Sequence, residues 1–239
     1  MPQVNFEKVE KLDYRSNEAY KSLRTNIQFC GSDIKEICLT SCMPNEGKSS
    51  VSFNLAVSIA ESGKRVAFVD TDLRKSVIVG RYKADHAILG LTHYLSGQNS
   101  LDEVLYNTNI ENLDAIFTGP VPPNPAELLG SECFSELMRY LREQYDYVIV
   151  DTPPLGSVID SVIVAEHCDG IILVVESNAI SYKFAQRVKK QMEKGNCRIL
   201  GAVLNKVELN GKGYYGKYYG KYYGKYYGKY YGNYGNEEE

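Results

Sequence analysis

The sequence contains no run of about 18 consecutive apolar residues, the length that a membrane-spanning helix needs. Its first residues, Met1 to Lys11, mix glutamate with lysine and lack the apolar core of a secretory signal. The six cysteines are scattered, and no two of them form a C-x-x-C pair. We therefore expect a soluble, cytosolic chain whose cysteines are reduced and mainly structural.

The length and composition favour one large α/β domain followed by a tail. The chain has 239 residues and a small net charge of −3, and its apolar segments lie within residues 1–210, which we assign to the domain. Residues 211–239 contain eleven tyrosines, eight glycines and five lysines, mostly as Gly-Lys-Tyr-Tyr repeats, and no aliphatic residue. Such a segment cannot build a core, so we expect it to be disordered and extended.

The most informative stretch runs from Cys38 to Ser50, where a short apolar strand leads through a tight loop into a helical segment. It has the x-x-x-x-x-G-K-S spacing of a Walker A phosphate loop, although cysteine replaces the usual first glycine. In such a loop Gly47 lets the backbone amides face an anion, Lys48 reaches the β- and γ-phosphates, and Ser49 ligates Mg²⁺. We expect the charge of Lys48 to be used only by the phosphates. The predicted nucleotide-binding residues are Cys42, Met43, Pro44, Asn45, Glu46, Gly47, Lys48, Ser49 and Ser50.

Carboxylates follow two further apolar segments that we predict to be buried strands. Residues 65–70 end in Asp70, which is followed by Asp72, and residues 147–151 end in Asp151 in the form of a Walker B strand. The strand–helix–strand order implies a parallel sheet, in which ligands gather at the carboxyl ends of the strands. The three acids are therefore expected beside the phosphate loop, where they can hold Mg²⁺ or accept a proton.

Weaker patterns complete the alternation of strands and helices. We predict strands at 113–118, 170–175 and 198–205, helices at 126–145 and 181–194, a helix break near Gly130 and a capping box at Ser100 and Glu103. The proline-rich loop at 119–125 follows a strand end. Asn205 ends the last predicted strand, where it either contacts the adenine or belongs to a simple turn.

A helix predicted at 16–28 has one apolar face and a charged edge. The apolar face consists of Tyr20, Leu23 and Ile27. The charged edge consists of Glu18, Lys21 and Arg24, spaced three residues apart. This edge is either the solvated side of a packing helix or an exposed ridge that contacts a neighbouring subunit.

Together, the phosphate loop, the Asp70/Asp72 pair, Asp151 and the tyrosine tail closely resemble the bacterial tyrosine kinases that govern capsule and exopolysaccharide synthesis. The resemblance implies a P-loop NTPase-like α/β fold with a mostly parallel sheet and helices on both faces. It also implies an ATP-dependent protein-tyrosine kinase that uses Mg²⁺. By this likeness Lys48, Asp70 and Asp72 are catalytic, with Asp70 activating the tyrosine hydroxyl, and Ser49, Asp72 and Asp151 hold the metal. The division of roles between Asp70 and Asp72 stays open.

The same resemblance implies partners. In that family the tail is phosphorylated between subunits, and a Glu-x-x-Arg-x-x-Arg motif assembles a ring, an octamer by this likeness. Glu18, Lys21 and Arg24 match the motif, although Lys21 lacks the planar fork of arginine. The family's Gram-positive branch implies a cytoplasmic kinase recruited to the inner face of the plasma membrane by the cytoplasmic end of a separate transmembrane activator. It also implies a cognate tyrosine phosphatase and no nucleic acid. The matching phosphoacceptors are Tyr214, Tyr215, Tyr218, Tyr219, Tyr222, Tyr223, Tyr226, Tyr227, Tyr230, Tyr231 and Tyr234.

The alternative is a partition- or division-type ATPase without kinase activity, which has the same fold and the same phosphate-site motifs. Those ATPases carry a signature lysine at the loop position that Met43 occupies here, and they lack a tyrosine tail. An adhesive or scaffolding module would explain the tail but not the phosphate-site motifs. The sequence therefore favours the kinase.

Overall fold

The computed structural model describes residues 1–9, 11–84, 89–195 and 197–208. The strands found in these residues are β1 (Gln3–Val4), β2 (Glu36–Ser41), β3 (Val66–Asp70), β4 (Leu105–Thr108), β5 (Leu113–Ile116), β6 (Tyr147–Asp151), β7 (Gly170–Glu176) and β8 (Ile199–Asn205). They form one sheet in the order β1-β4-β5-β3-β6-β2-β7-β8. Every neighbouring pair is parallel except β4 and β5. The mostly parallel sheet predicted from the sequence is confirmed.

Helices cover both faces of the sheet, as predicted. They are α1 (Tyr14–Gln28), α2 (Lys48–Ala60), α3 (Ile78–Tyr82), α4 (Leu91–Leu95), α5 (Leu101–Val104), α6 (Pro125–Leu129), α7 (Glu132–Gln144), α8 (Asp160–Ala165) and α9 (Tyr182–Lys194). On one face α1 and α2 pack over a core cluster that includes Phe53. On the other face, α7 and α9 contribute Leu141 and Met192 to a second cluster. The sheet therefore separates two apolar layers.

Local sequence signals predicted the ends of most long helices and strands to within one or two residues. Asp13 caps α1 by accepting a hydrogen bond from the Ser16 amide at 2.7 Å, so the helix begins two residues before its predicted start. The break near Gly130 is confirmed, since α6 ends there and Ser131 caps α7. Five short elements were not predicted from the sequence, because they contain too few residues to show a period: β1, β4, α3, α4 and α8.

The exposed ridge predicted on α1 is only partly present. Lys21 is exposed and pairs with Glu18 at an Nζ–Oε1 distance of 2.8 Å. The guanidinium of Arg24 instead donates to the backbone carbonyl of Ser58 in α2 at 2.5 Å. The ridge prediction is therefore wrong for Arg24, because its long side chain lies across the contact between α1 and α2.

The tyrosine-rich tail lies outside the described residues, so the expectation that it is disordered stays a prediction. No helix in the described part of the chain combines the length and the apolar character needed to cross a membrane.

Candidate active site

The loop between β2 and α2 has the backbone of an anion cradle. Gly47 caps α2 in the left-handed region at φ 86°, and Asn45 has φ 69°. A Cβ atom on Gly47 would lie 2.1 Å from Nδ2 of Asn205, so a larger residue would have to displace that side chain and adopt a backbone conformation that favours glycine. The first amides of α2 have no partner within the helix, and the helix dipole adds positive potential there. This end of α2 is suited to phosphate groups.

The phosphate loop is braced by contacts that the sequence did not predict. The buried carboxylate of Glu46 accepts hydrogen bonds from the amide of Met43 at 2.6 Å and from the amide of Glu176 at 3.3 Å. Asn205 donates to the Glu46 carbonyl at 2.9 Å, and Lys206 donates to the Asn45 carbonyl at 2.7 Å. The end of β8 therefore holds the loop in shape. The contact of Asn205 with adenine stays a prediction.

Lys48 lies in a buried ion pair with Asp151. Its Nζ is 2.6 Å from Asp151 Oδ1, which also accepts a hydrogen bond from the hydroxyl of Ser52 at 2.8 Å. The same Nζ lies 3.1 Å from the hydroxyl of Ser49. The expectation that only the phosphates use the charge of Lys48 is therefore wrong, because this ammonium also neutralises a buried acid.

The second carboxylate oxygen of Asp151 fits a cation. Oδ2 is buried and has no hydrogen-bond partner among the described residues. Within the described residues, no group of three or more His, Cys, Asp or Glu side chains is placed to hold a metal ion. Mg²⁺ commonly takes only one or two protein carboxylates and completes its shell with phosphate oxygens and water. Asp151, with the hydroxyl of Ser49 nearby, is compatible with that kind of site.

Asp70 and Asp72 lie at the same edge of the sheet. The register of β3 and β6 places Asp70 directly beside Asp151. Burial, and then the charge of Asp151, raise the pKa of Asp70, whose Oδ2 accepts a hydrogen bond from the hydroxyl of Ser76. Burial also raises the pKa of Asp72, which accepts from the Lys75 amide at 3.0 Å. The structure thus brings the predicted acids together around a single lysine.

A second ion pair connects the segment after β3 to α8. Arg74 donates through Nε and a terminal nitrogen to the two oxygens of Asp160, at 2.7 and 3.0 Å. Asp160 is fully buried, while the side chain of Arg74 is 42% exposed. The pair joins the segment that carries Asp70 and Asp72 to the segment that follows Asp151. Sequence reasoning missed it because the two residues are 86 positions apart.

Arg74→Ala is expected to lower the free energy of unfolding by about 1–3 kcal/mol, because it leaves the buried Asp160 carboxylate without its cation. This loss of stability should be smaller than for a fully buried ion pair, since water reaches Arg74. Urea unfolding measures the change in the free energy of unfolding. The matched control is Arg139→Ala, which removes an exposed arginine 3.7 Å from Glu132 and should change stability little. Equal unfolding midpoints for both variants would show that the Arg74 pair contributes nothing.

A phosphate loop between a strand and a helix, with acids at the ends of the neighbouring strands, defines the P-loop class of nucleotide-binding proteins. A family model described as an AAA domain matches residues 35–199. The tyrosine-protein kinase CpsD of Streptococcus pneumoniae is 42% identical over 203 residues, which cover 84% of this chain and 89% of that protein. The tyrosine-protein kinase YwqD of Bacillus subtilis is 38% identical over 206 residues, 84% of this chain and 86% of that protein.

Solved structures agree with these sequence matches. The kinase domain of the Escherichia coli tyrosine kinase ETK superimposes with a TM-score of 0.78 at 32% identity, covering 83% of this chain and 78% of that one. The septum site-determining protein MinD of Pyrococcus horikoshii has a TM-score of 0.63 at 24% identity, over 76% of this chain and 72% of that one, which shows the shared fold alone. The chain belongs to the bacterial tyrosine-protein kinases, within the AAA domain family.

Proposed function

We propose that the chain uses ATP to phosphorylate its own C-terminal tyrosines between subunits, and that it thereby regulates capsule or exopolysaccharide synthesis and export. The observation that carries the proposal is the register of β3 and β6, which sets Asp70 beside Asp151 and its partner Lys48 at the mouth of a phosphate loop. Phosphoryl transfer depends mainly on positioning and on neutralising charge, and this arrangement provides for both.

The role that we propose for each residue follows from its surroundings. Lys48 is the cation for the β- and γ-phosphates, and Ser52 remains as a hydrogen-bond donor to Asp151 when Lys48 turns to them. Ser49, Asp72 and Asp151 would hold Mg²⁺, which supplies further charge neutralisation on the phosphates. Burial raises the pKa of Asp70 toward neutral pH, which suits a base that accepts the proton of a tyrosine hydroxyl.

Deleting residues 211–239 should leave ATP binding unchanged and remove nearly all autophosphorylation, because the proposed acceptors are in that segment. A matched variant keeps the full length but replaces the eleven tail tyrosines by phenylalanine, and it should lose phosphate incorporation to the same extent. Phosphopeptide mapping by mass spectrometry measures the result. Phosphotyrosine found at wild-type amounts within residues 1–210 of either variant would contradict the assignment.

We further propose that the kinase assembles as a ring, an octamer by family likeness, through Glu18 and Lys21 on α1, with Arg24 fixing the helix to α2. Light scattering should show Glu18→Ala with Lys21→Ala reduced to the monomer mass of 26.9 kDa, at a concentration where the wild type is oligomeric. Lys21→Arg should strengthen assembly, since it restores the planar fork. The control Arg15→Ala changes another exposed residue of α1. A double variant with the wild-type mass would place the interface elsewhere.

The proposed setting is the cytoplasmic face of the plasma membrane, where the cytoplasmic end of a separate transmembrane protein activates the kinase. A cognate tyrosine phosphatase would reverse the modification. The support for both partners is the family likeness.

A further inference from the structure

The exposed side of α9 carries four cations, Lys183, Arg187, Lys190 and Lys194, which we call the basic stripe. Their spacing of four, three and four residues places them on one face of the helix. The opposite face contributes the buried Val188 and Met192 to the core. Eleven residues separate Lys183 from Lys194, so the stripe is about 16 Å long.

No described carboxylate pairs with the basic stripe. The ion pair that α9 does make joins Lys189 to Glu193, and both of these residues lie to one side of the stripe. The guanidinium carbon of Arg187 lies 5.2 Å from the centre of the Phe184 ring, a cation–π contact. The stripe is thus a row of exposed positive charges.

The last described residues before the tail lie at the sheet edge where α9, and with it the basic stripe, begins. Strands β7 and β8 are parallel, and α9 connects them, so the first turn of α9 and the residues after β8 share one edge of the sheet. Lys206, just after β8, pairs at 2.8 Å with Glu176 at the end of β7. Tyr214 follows six residues after Glu208 and can lie up to about 20 Å from it along an extended chain.

Phosphorylation would reverse the charge of this tail. Residues 211–239 contain five lysines and three glutamates, a side-chain charge of +2, so the unmodified tail is repelled by the stripe. Each phosphate adds about −1.5 to −2, so two phosphotyrosines already make the tail negative. Arginine and lysine bind phosphate through short, charge-assisted hydrogen bonds.

We propose that the basic stripe is the docking surface for the chain's own tail once its tyrosines carry phosphate. The proposal rests on the proposed kinase function, which supplies the phosphates. Docking withdraws the modified tail from the acids Asp70, Asp72 and Asp151, and so it makes that site available to another tail. An anionic membrane is the competing partner, but the apolar residues Val188 and Met192 face the core, so a membrane could offer the stripe charge alone. The tail adds the high effective concentration of a tethered ligand.

The test uses the full-length, unphosphorylated chain and a synthetic peptide of residues 212–220 with phosphate on Tyr214, Tyr215, Tyr218 and Tyr219. Fluorescence anisotropy should show binding that weakens as salt rises. Replacing all four stripe residues by glutamine should weaken it at least tenfold. The control replaces Lys11, Arg15, Lys64 and Arg65, four exposed cations elsewhere, by glutamine and should stay within twofold of wild type. Equal affinities for the two variants, or equal binding of the unphosphorylated peptide, would overturn the proposal.

Two further measurements separate the other readings. A chain phosphorylated on its own tail should no longer bind the peptide, because the stripe is occupied. If vesicles of phosphatidylserine and phosphatidylcholine bind the chain through the stripe while the peptide does not, the stripe is a lipid surface and the proposal is wrong. Because the peptide is supplied already phosphorylated, its binding tests docking without any kinase activity. Failure of autophosphorylation would overturn the proposed function and leave this result standing.

Discussion

Lys48→Met is expected to reduce tyrosine phosphorylation by at least about 10²–10³-fold, because it removes the cation that we propose for the transferred phosphate. The structure adds a second effect. Lys48 lies 2.6 Å from the buried Asp151, so the substitution also leaves an uncompensated carboxylate in the core. Breaking such a buried pair costs about 3–5 kcal/mol. The single variant should therefore be both inactive and less stable.

A double variant separates these two effects. Lys48→Met combined with Asp151→Asn removes both charges of the pair and leaves the Ser52 hydroxyl with a partner of the same shape. We expect it to recover most of the lost unfolding free energy and none of the activity. Urea unfolding and an antibody against phosphotyrosine provide the two measurements. Phosphorylation by a folded double variant would show that Lys48 does not serve the phosphates.

Asp70→Asn is expected to lower phosphorylation by about 10²–10⁴-fold, the usual contribution of a general base. It should also make the protein more stable at pH 7–8. Burial and the nearby Asp151 raise the pKa of Asp70, so the folded protein binds that proton more tightly than the unfolded chain does. The ionised carboxylate therefore costs stability above the unfolded pKa of about 3.9. Asparagine removes this cost.

The stability gained by Asp70→Asn should shrink as the pH falls and vanish below about pH 3, where Asp70 is protonated in both the folded and the unfolded wild type. Thermal unfolding at a series of pH values tests this. Asp102→Asn is a suitable control, because Asp102 is exposed in α5 and far along the chain from the site. A loss of stability in Asp70→Asn at pH 7–8 would mean that the charged form of Asp70 is favoured by the fold.

The sequence predicted the elements whose conformation is determined by residues close together in the chain. The apolar runs that become β2, β3 and β6 and the glycine at position 47 determine their own conformation, so the phosphate loop and the acids at the strand ends could be placed at one edge. The same edge was expected because parallel strands deliver their carboxyl ends together.

The side-chain partners could not be predicted in this way. Lys48 and Asp151 are 103 residues apart, and Lys206 and Asn45 are 161 apart, so no spacing along the chain relates them. The contact of Arg24 could not be predicted either. A periodic pattern places this residue on a helix edge but does not show which neighbouring carbonyl its side chain reaches. Such contacts follow only from how the elements pack.

The most direct test follows the γ-phosphate of ATP. The full chain is incubated with Mg²⁺ and γ-labelled ATP, alone and with the cytoplasmic fragment of the candidate activator, beside the Lys48→Met, Asp151→Asn double variant. We predict label on tyrosines between 214 and 234 in the wild type and none in the variant. Label released by the wild type only as inorganic phosphate, with no phosphotyrosine under either condition, would contradict the kinase assignment and identify a partition-type ATPase.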